Sequence, residues 1–69
     1  MSMKLSFIME GNVKREFEVE KFALLDGGYY FWSKEDLGDE FRRVSVSSRE
    51  PEAYEINPNK TRVLGFIIA

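Results

Sequence analysis

Apolar and polar residues alternate along the first twenty positions of the chain. From position 3 to position 9 every second residue is apolar, and the same spacing returns at Val13, Phe17 and Val19. Lysine and glutamate occupy most positions between these last three. A period of two is typical of strands with one buried face, and Gly11-Asn12 tolerates the positive φ angles of a tight turn. The pattern predicts an antiparallel hairpin over residues 3–20.

The remaining chain repeats this alternation in shorter runs. The phase changes at Phe22, which predicts a bulge or a bend where the chain turns a corner. Asp26-Gly27-Gly28 and Asn57-Pro58-Asn59-Lys60 predict turns, whereas the acidic stretch 33–40 predicts a loop with at most one helical turn. Strands are expected at 22–25, 29–32, 41–48, 53–56 and from Val63 onward.

Short strands with turns between them, spaced by roughly 8 to 12 residues, predict an all-β fold. We expect a five- to six-stranded antiparallel open barrel, SH3-like or OB-like, or a small sandwich. The bend at Phe22 and the glycine at Gly65 would help such a sheet to curl. Residues 1–69 are predicted to form a single small domain.

Composition narrows the means by which so short a chain is stabilised. The chain has no cysteine and no histidine, so disulfides, thiolate sites and the usual histidine metal ligands are excluded. A domain of this size buries only about 60% of the surface of its unfolded chain. We therefore expect oligomerisation to supplement the core, and we expect no metal and no cofactor.

Charge and hydropathy limit the partners. The net charge is −2, from 10 basic and 12 acidic residues, which is not the basic balance that binding to duplex nucleic acid requires. No apolar run is long enough to span a membrane, and the first residues lack the apolar core of a signal peptide. The expectation is a cytoplasmic protein without a membrane partner.

Four consecutive aromatic residues form the first candidate binding surface. Because neighbours on a strand point to opposite faces, either Tyr29 with Phe31 or Tyr30 with Trp32 faces outward. Exposed aromatic rings stack on bases in single-strand binders, and Arg42 and Arg43 would then contact phosphates. The competing interpretation is a central strand covered on both sides.

The last strand is the second candidate surface. The segment 63–69 is uncharged and has high β-propensity, so an exposed edge there would favour aggregation unless it were paired or covered. It is either a central strand or a strand that completes a sheet with a second copy or another protein. Its alternate residues Leu64, Phe66 and Ile68 are the predicted contacts.

The sequence gives little support for a catalytic site. The four carboxylates of residues 35–40 lack the spacing of a calcium loop, and Ser33 and Lys34 point apart on an extended chain. Glu16, Glu18 and Glu20 fit a solvated strand face. We therefore predict no catalytic residue and no enzyme activity.

Two stretches of the chain resemble parts of known families. Residues 3–21 resemble the opening hairpin of small archaeal SH3-like chromatin proteins, which are strongly basic and end in a helix, whereas this chain is acidic and ends in a strand. Residues 13–15, with RVLGFIIA at the end, are similar to the closing half of LexA-like self-cleaving peptidases, in which Lys14 would activate an earlier serine. No serine precedes Lys14 at the required distance. Neither family is adopted.

The sequence thus predicts a non-enzymatic protein-interaction module that self-associates through apolar strand surface. The alternative is a small β-barrel that binds single-stranded nucleic acid with its aromatic strand, although the acidic balance argues against it.

Overall fold

Two dipeptides that tolerate positive φ set two of the tight turns of the fold. In the computed structural model, which describes residues 2–69, Gly11 and Asn12 have φ of 81° and 62°, and Asp26 and Gly27 have 49° and 79°. The first pair belongs to the short 3₁₀ turn Glu10–Asn12. The second pair forms the two-residue loop of a hairpin in which Leu25 lies opposite Gly28.

The strands are numbered in chain order. They are β1 Met3–Met9, β2 Val13–Val19, β3 Lys21–Leu25, β4 Gly28–Trp32, β5 Phe41–Val44, β6 Ala53–Ile56 and β7 Val63–Ile68. The predicted hairpin of residues 3–20 is confirmed, with Leu5 opposite Phe17 and Phe7 opposite Arg15.

The strands form two antiparallel sheets. One has the order β2-β1-β7 and the other the order β3-β4-β6-β5. The chain passes from the first sheet to the second between Val19 and Lys21, where the sequence predicts a corner. The all-β prediction is therefore confirmed. Residues 2–69 contain seven strands rather than five or six, and their ladders do not close into a barrel.

Two stretches differ in detail from the expectation. The segment 33–40 contains no helical turn, and the strand predicted over 41–48 ends at Val44. Beyond Val44 the chain leaves the ladder with β6 and loops back toward the outer side of β4, since the carbonyl of Pro51 accepts a hydrogen bond from the Trp32 side chain. Val13, expected on the buried face of its strand, lies at the turn and is 47% exposed.

Aromatic rings from both sheets make the core. Phe7 of β1 is fully buried, and its ring lies within 6.5 Å of five other rings. These rings come from β2, β4, β5 and β7 and are Phe17, Tyr29, Phe31, Phe41 and Phe66. The two sheets thus pack face to face around one central side chain.

Candidate interaction surface

The inner half of the aromatic strand belongs to the core. Phe31 is fully buried and stacks on Phe17 of the opposite sheet at 5.1 Å between ring centroids. Tyr29 is half-buried and meets Phe66 edge-on at 5.2 Å. These contacts remove Tyr29 and Phe31 from the candidate binding surface, because their rings join the two sheets instead of facing a ligand.

The outer half of the same strand is covered by a loop. Trp32 points away from the core, yet it is only 8% exposed. The segment that contains Pro51 lies against it, since the Nε1–H of Trp32 donates to the carbonyl of Pro51 at 2.9 Å. The Lys21 ammonium lies 4.6 Å from the centre of the indole ring and bonds the Glu50 carboxylate at 2.6 Å. Of the predicted aromatic face, Tyr30 alone keeps a half-exposed position on the outside.

The two arginines of β5 do not act together. Arg42 lies on the outer face and binds the Glu55 carboxylate with 2.7 Å between Nε and Oε1. Arg43 lies on the inner side and donates to the Tyr54 hydroxyl at 3.2 Å, a bond that raises the pKa of the guanidinium. Each cation already has a partner, so the structure does not bring them together into a phosphate-binding pair.

The last strand departs from simple alternation through a bulge. Gly65 lies opposite Ile8 and Val63 lies opposite Met9, which leaves Leu64 as an extra, unpaired residue. Phe66 therefore turns inward against Phe22 and Tyr29. Leu64 is 54% exposed and Ile68 is 37% exposed. Two of the three predicted contacts on β7 are thus exposed, whereas Phe66 supports the core.

The most exposed apolar side chain of this strand is not among the predicted contacts. Ile67 is 66% exposed on the outer face, where strict alternation with Leu64 would have assigned it to the opposite side. Leu24 and Leu25, at 58% and 42% exposed, were also missed. They lie at the end of β3, the edge strand whose Phe22 packs against Phe66 at 5.2 Å.

One edge of β7 is open. Within residues 2–69 the strand pairs only with β1, and Lys4 and Ala69 exchange both backbone hydrogen bonds at 2.9 Å. Because alternate residues of an antiparallel strand direct their backbone groups to opposite sides, Phe66 and Ile68 direct theirs to the open edge. A row of unpaired backbone donors and acceptors there is a template for another strand.

Charge distinguishes this edge from the other edges. The sheets of residues 2–69 have four edge strands, and β2, β3 and β5 each carry lysine or arginine. Such charges oppose pairing with a further strand. The residues of β7, from Val63 to Ile68, carry none. The unprotected edge is therefore the one with exposed isoleucine and leucine.

The acidic loop does not assemble a common site. The Glu35 carboxylate accepts the backbone N–H of Glu18 at 2.7 Å, and Asp39 lies 3.7 Å from Lys60. Glu40 pairs with Arg15 of β2. No three acidic side chains within residues 2–69 converge in a geometry that would hold a metal ion.

A groove of about 670 Å³ along the outside of β2 is lined mainly by charged residues. Its Glu16 carboxylate accepts a hydrogen bond from Ser6 at 3.0 Å and pairs with Lys14 at 3.3 Å. These partners hold the pKa of Glu16 below its usual range. A carboxylate that stays ionised and paired is poorly suited to act as a general acid or base near neutral pH.

The described part of the chain contains no helix of the length and apolarity that crossing a membrane demands. Comparisons with protein-family models, with curated proteins and with solved structures gave no match. Within residues 2–69 the open edge of β7, with Leu64, Ile67 and Ile68, forms the candidate interaction surface.

Proposed function

We propose that the protein is a non-enzymatic protein-interaction module that self-associates through β7. The observation that carries this proposal is an edge strand that is at once uncharged, exposed and unpaired on its outer side. Adding a strand there satisfies backbone groups and removes apolar side chains from water in one step.

The small size of the domain supports the proposal. A chain of 69 residues without cysteine has no disulfide to compensate for its limited core. Six large apolar side chains are more than a third exposed within residues 2–69, and three of them belong to β7. Association supplies the burial that the isolated chain lacks. We also propose that the protein is cytoplasmic and that its two sheets form a small sandwich or an open barrel.

Self-association is tested by sedimentation velocity over a range of concentrations. We expect the mean mass of the wild-type protein to rise with concentration. Ile67→Lys places a charge on the β7 surface and should hold the protein at the monomer mass. Val13→Lys is the matched control, because Val13 is similarly apolar and exposed but lies on β2, the opposite edge strand of the same sheet. A wild-type protein that stays monomeric at every concentration would contradict the proposal.

The alternative function is binding to single-stranded nucleic acid. Its support is Tyr30, which is half-exposed on the outer face of β4, in register with Glu55 and through it with Arg42. The carboxylate between ring and guanidinium disfavours a phosphate chain along this row, because like charges repel. Trp32 lies on the same face of β4 and reports on binding there.

Fluorescence of Trp32 tests that alternative. Titration with single-stranded oligonucleotides of mixed sequence at low salt is expected to leave both its intensity and its emission maximum unchanged. Free indole at matched absorbance corrects for inner-filter loss. Saturable quenching that disappears at high salt, and also in Tyr30→Ala, would favour the nucleic-acid function over the proposed one.

A further inference from the structure

We propose that two copies of the chain join β7 to β7 in antiparallel register, with the two-fold axis beside Ile67. The two three-stranded sheets then become one continuous six-stranded sheet. This inference rests on the proposed function and specifies its partner and its geometry.

The backbone pattern of the open edge selects this register. Phe66 and Ile68 direct their N–H and C=O groups outward, and they lie two positions apart with Ile67 between them. Centring the axis on Ile67 places Phe66 opposite the partner's Ile68, and Ile68 opposite the partner's Phe66. Each of these pairs exchanges two hydrogen bonds, so every outward group of both residues is satisfied.

The side chains fit the same arrangement. Ile67 then faces its own copy at a position without direct hydrogen bonds, where opposite Cα atoms lie about 4.5 Å apart and the side chains touch. Its 66% exposure makes Ile67 the apolar residue with most to gain from such a contact. On the β1 side its neighbour is Ser6, which is small and bonded to Glu16. The residue directly opposite Ile67 on β1 therefore leaves room for the pair.

Charge favours a second copy as the occupant. Pairing the uncharged β7 with itself brings no charge against another along the strand. The cation nearest to the strand in the sequence is Arg62, which lies just before β7 begins and 3.9 Å from Glu10. Antiparallel pairing sends the two Arg62 side chains to opposite ends of the dimer, whereas parallel pairing would place them side by side. The β7 strand of a second copy is thus an apolar, uncharged partner that brings no electrostatic repulsion.

The absence of cysteine allows a direct test by disulfide trapping. Ile67→Cys in the full chain should form a disulfide-linked dimer under mild oxidation, because paired Cα atoms at that spacing lie within the range a disulfide spans. Gly65→Cys is the control on the same strand and face, and a Cβ there meets no atom within 4 Å apart from those of its chain neighbours. In the proposed register two Gly65 positions are about 14 Å apart, so this variant should stay monomeric on a non-reducing gel.

A second measurement follows the wild-type protein without substitution. Hydrogen exchange at the Phe66 and Ile68 amides should slow as the concentration rises, while the amides of Phe22 and Leu24 on the β3 edge stay unchanged. Equal trapping of Gly65→Cys, or protection at β3 instead of β7, would overturn the register. Self-association by sedimentation without trapping of Ile67→Cys would also overturn it and leave the proposed function standing. The lack of any self-association would remove both.

Discussion

Replacing Phe7 by alanine is expected to lower the free energy of unfolding by about 3–5 kcal/mol, as for other large-to-small changes of a fully buried aromatic ring. Phe7 is 0% exposed and meets rings from four other strands of both sheets. Removing its ring leaves a cavity between the sheets that rings held in place by their own strands fill only in part. At about 0.05–0.15 kcal/mol per residue, the whole domain is worth about 3–10 kcal/mol. The loss therefore removes the whole stability if the domain lies at the lower end of that range, and about a third to a half of it at the upper end.

Urea unfolding followed by circular dichroism measures this loss. Phe7→Leu retains much of the apolar volume and should lose clearly less. Val13→Ala removes exposed apolar atoms from the same hairpin and should change the free energy by no more than about 0.5 kcal/mol. A Phe7→Ala protein as stable as Val13→Ala would show that the two sheets do not depend on this ring for their packing.

The sequence predicts most reliably the structural features that depend on a local pattern of residues. Alternation located the first hairpin, dipeptides with positive φ located its turn and that of β3–β4, and the change of phase at Phe22 located the corner between the sheets. Each of these features depends on residues close together in the chain. The all-β class follows from them without knowledge of any long-range contact.

Which side chains are exposed depends on long-range contacts that the alternation of apolar and polar residues does not reveal. The bulge at Leu64 comes from pairing with β1 across more than fifty residues, and it reverses which residues of β7 face inward. Trp32 is covered because the segment after Val44 folds over it instead of continuing the strand. Candidate contacts chosen by strict alternation therefore included Phe66 and omitted Ile67. The uncharged character of the strand, which comes directly from composition, did point to the correct element.

Replacing Trp32 by alanine is expected to release the loop that follows β5 and to cost about 3–5 kcal/mol. The indole connects three parts of the molecule: it donates to Pro51, lies under Lys21 and forms part of the outer face of β4. Lys21 and Glu50 tie the same loop to β3, but their ion pair is solvent-exposed and worth less than about 1 kcal/mol alone. Hydrogen exchange should speed up at the backbone amides of residues 47–50, while the β1–β2 hairpin stays protected under native conditions.

Trp32→Phe separates the ring from its hydrogen bond. It retains an aromatic side chain beneath Lys21 but leaves the carbonyl of Pro51 without its donor, so the loss should fall to about 0.5–1.5 kcal/mol. Equal exchange rates in Trp32→Ala and the wild-type protein would mean that the loop is held by other contacts. The two variants also bear on function. The loop connects β5 and β6, which belong to the sheet that does not contain β7. Self-association through β7 should therefore persist in Trp32→Phe, whereas a binding face on β4 would be altered by either change.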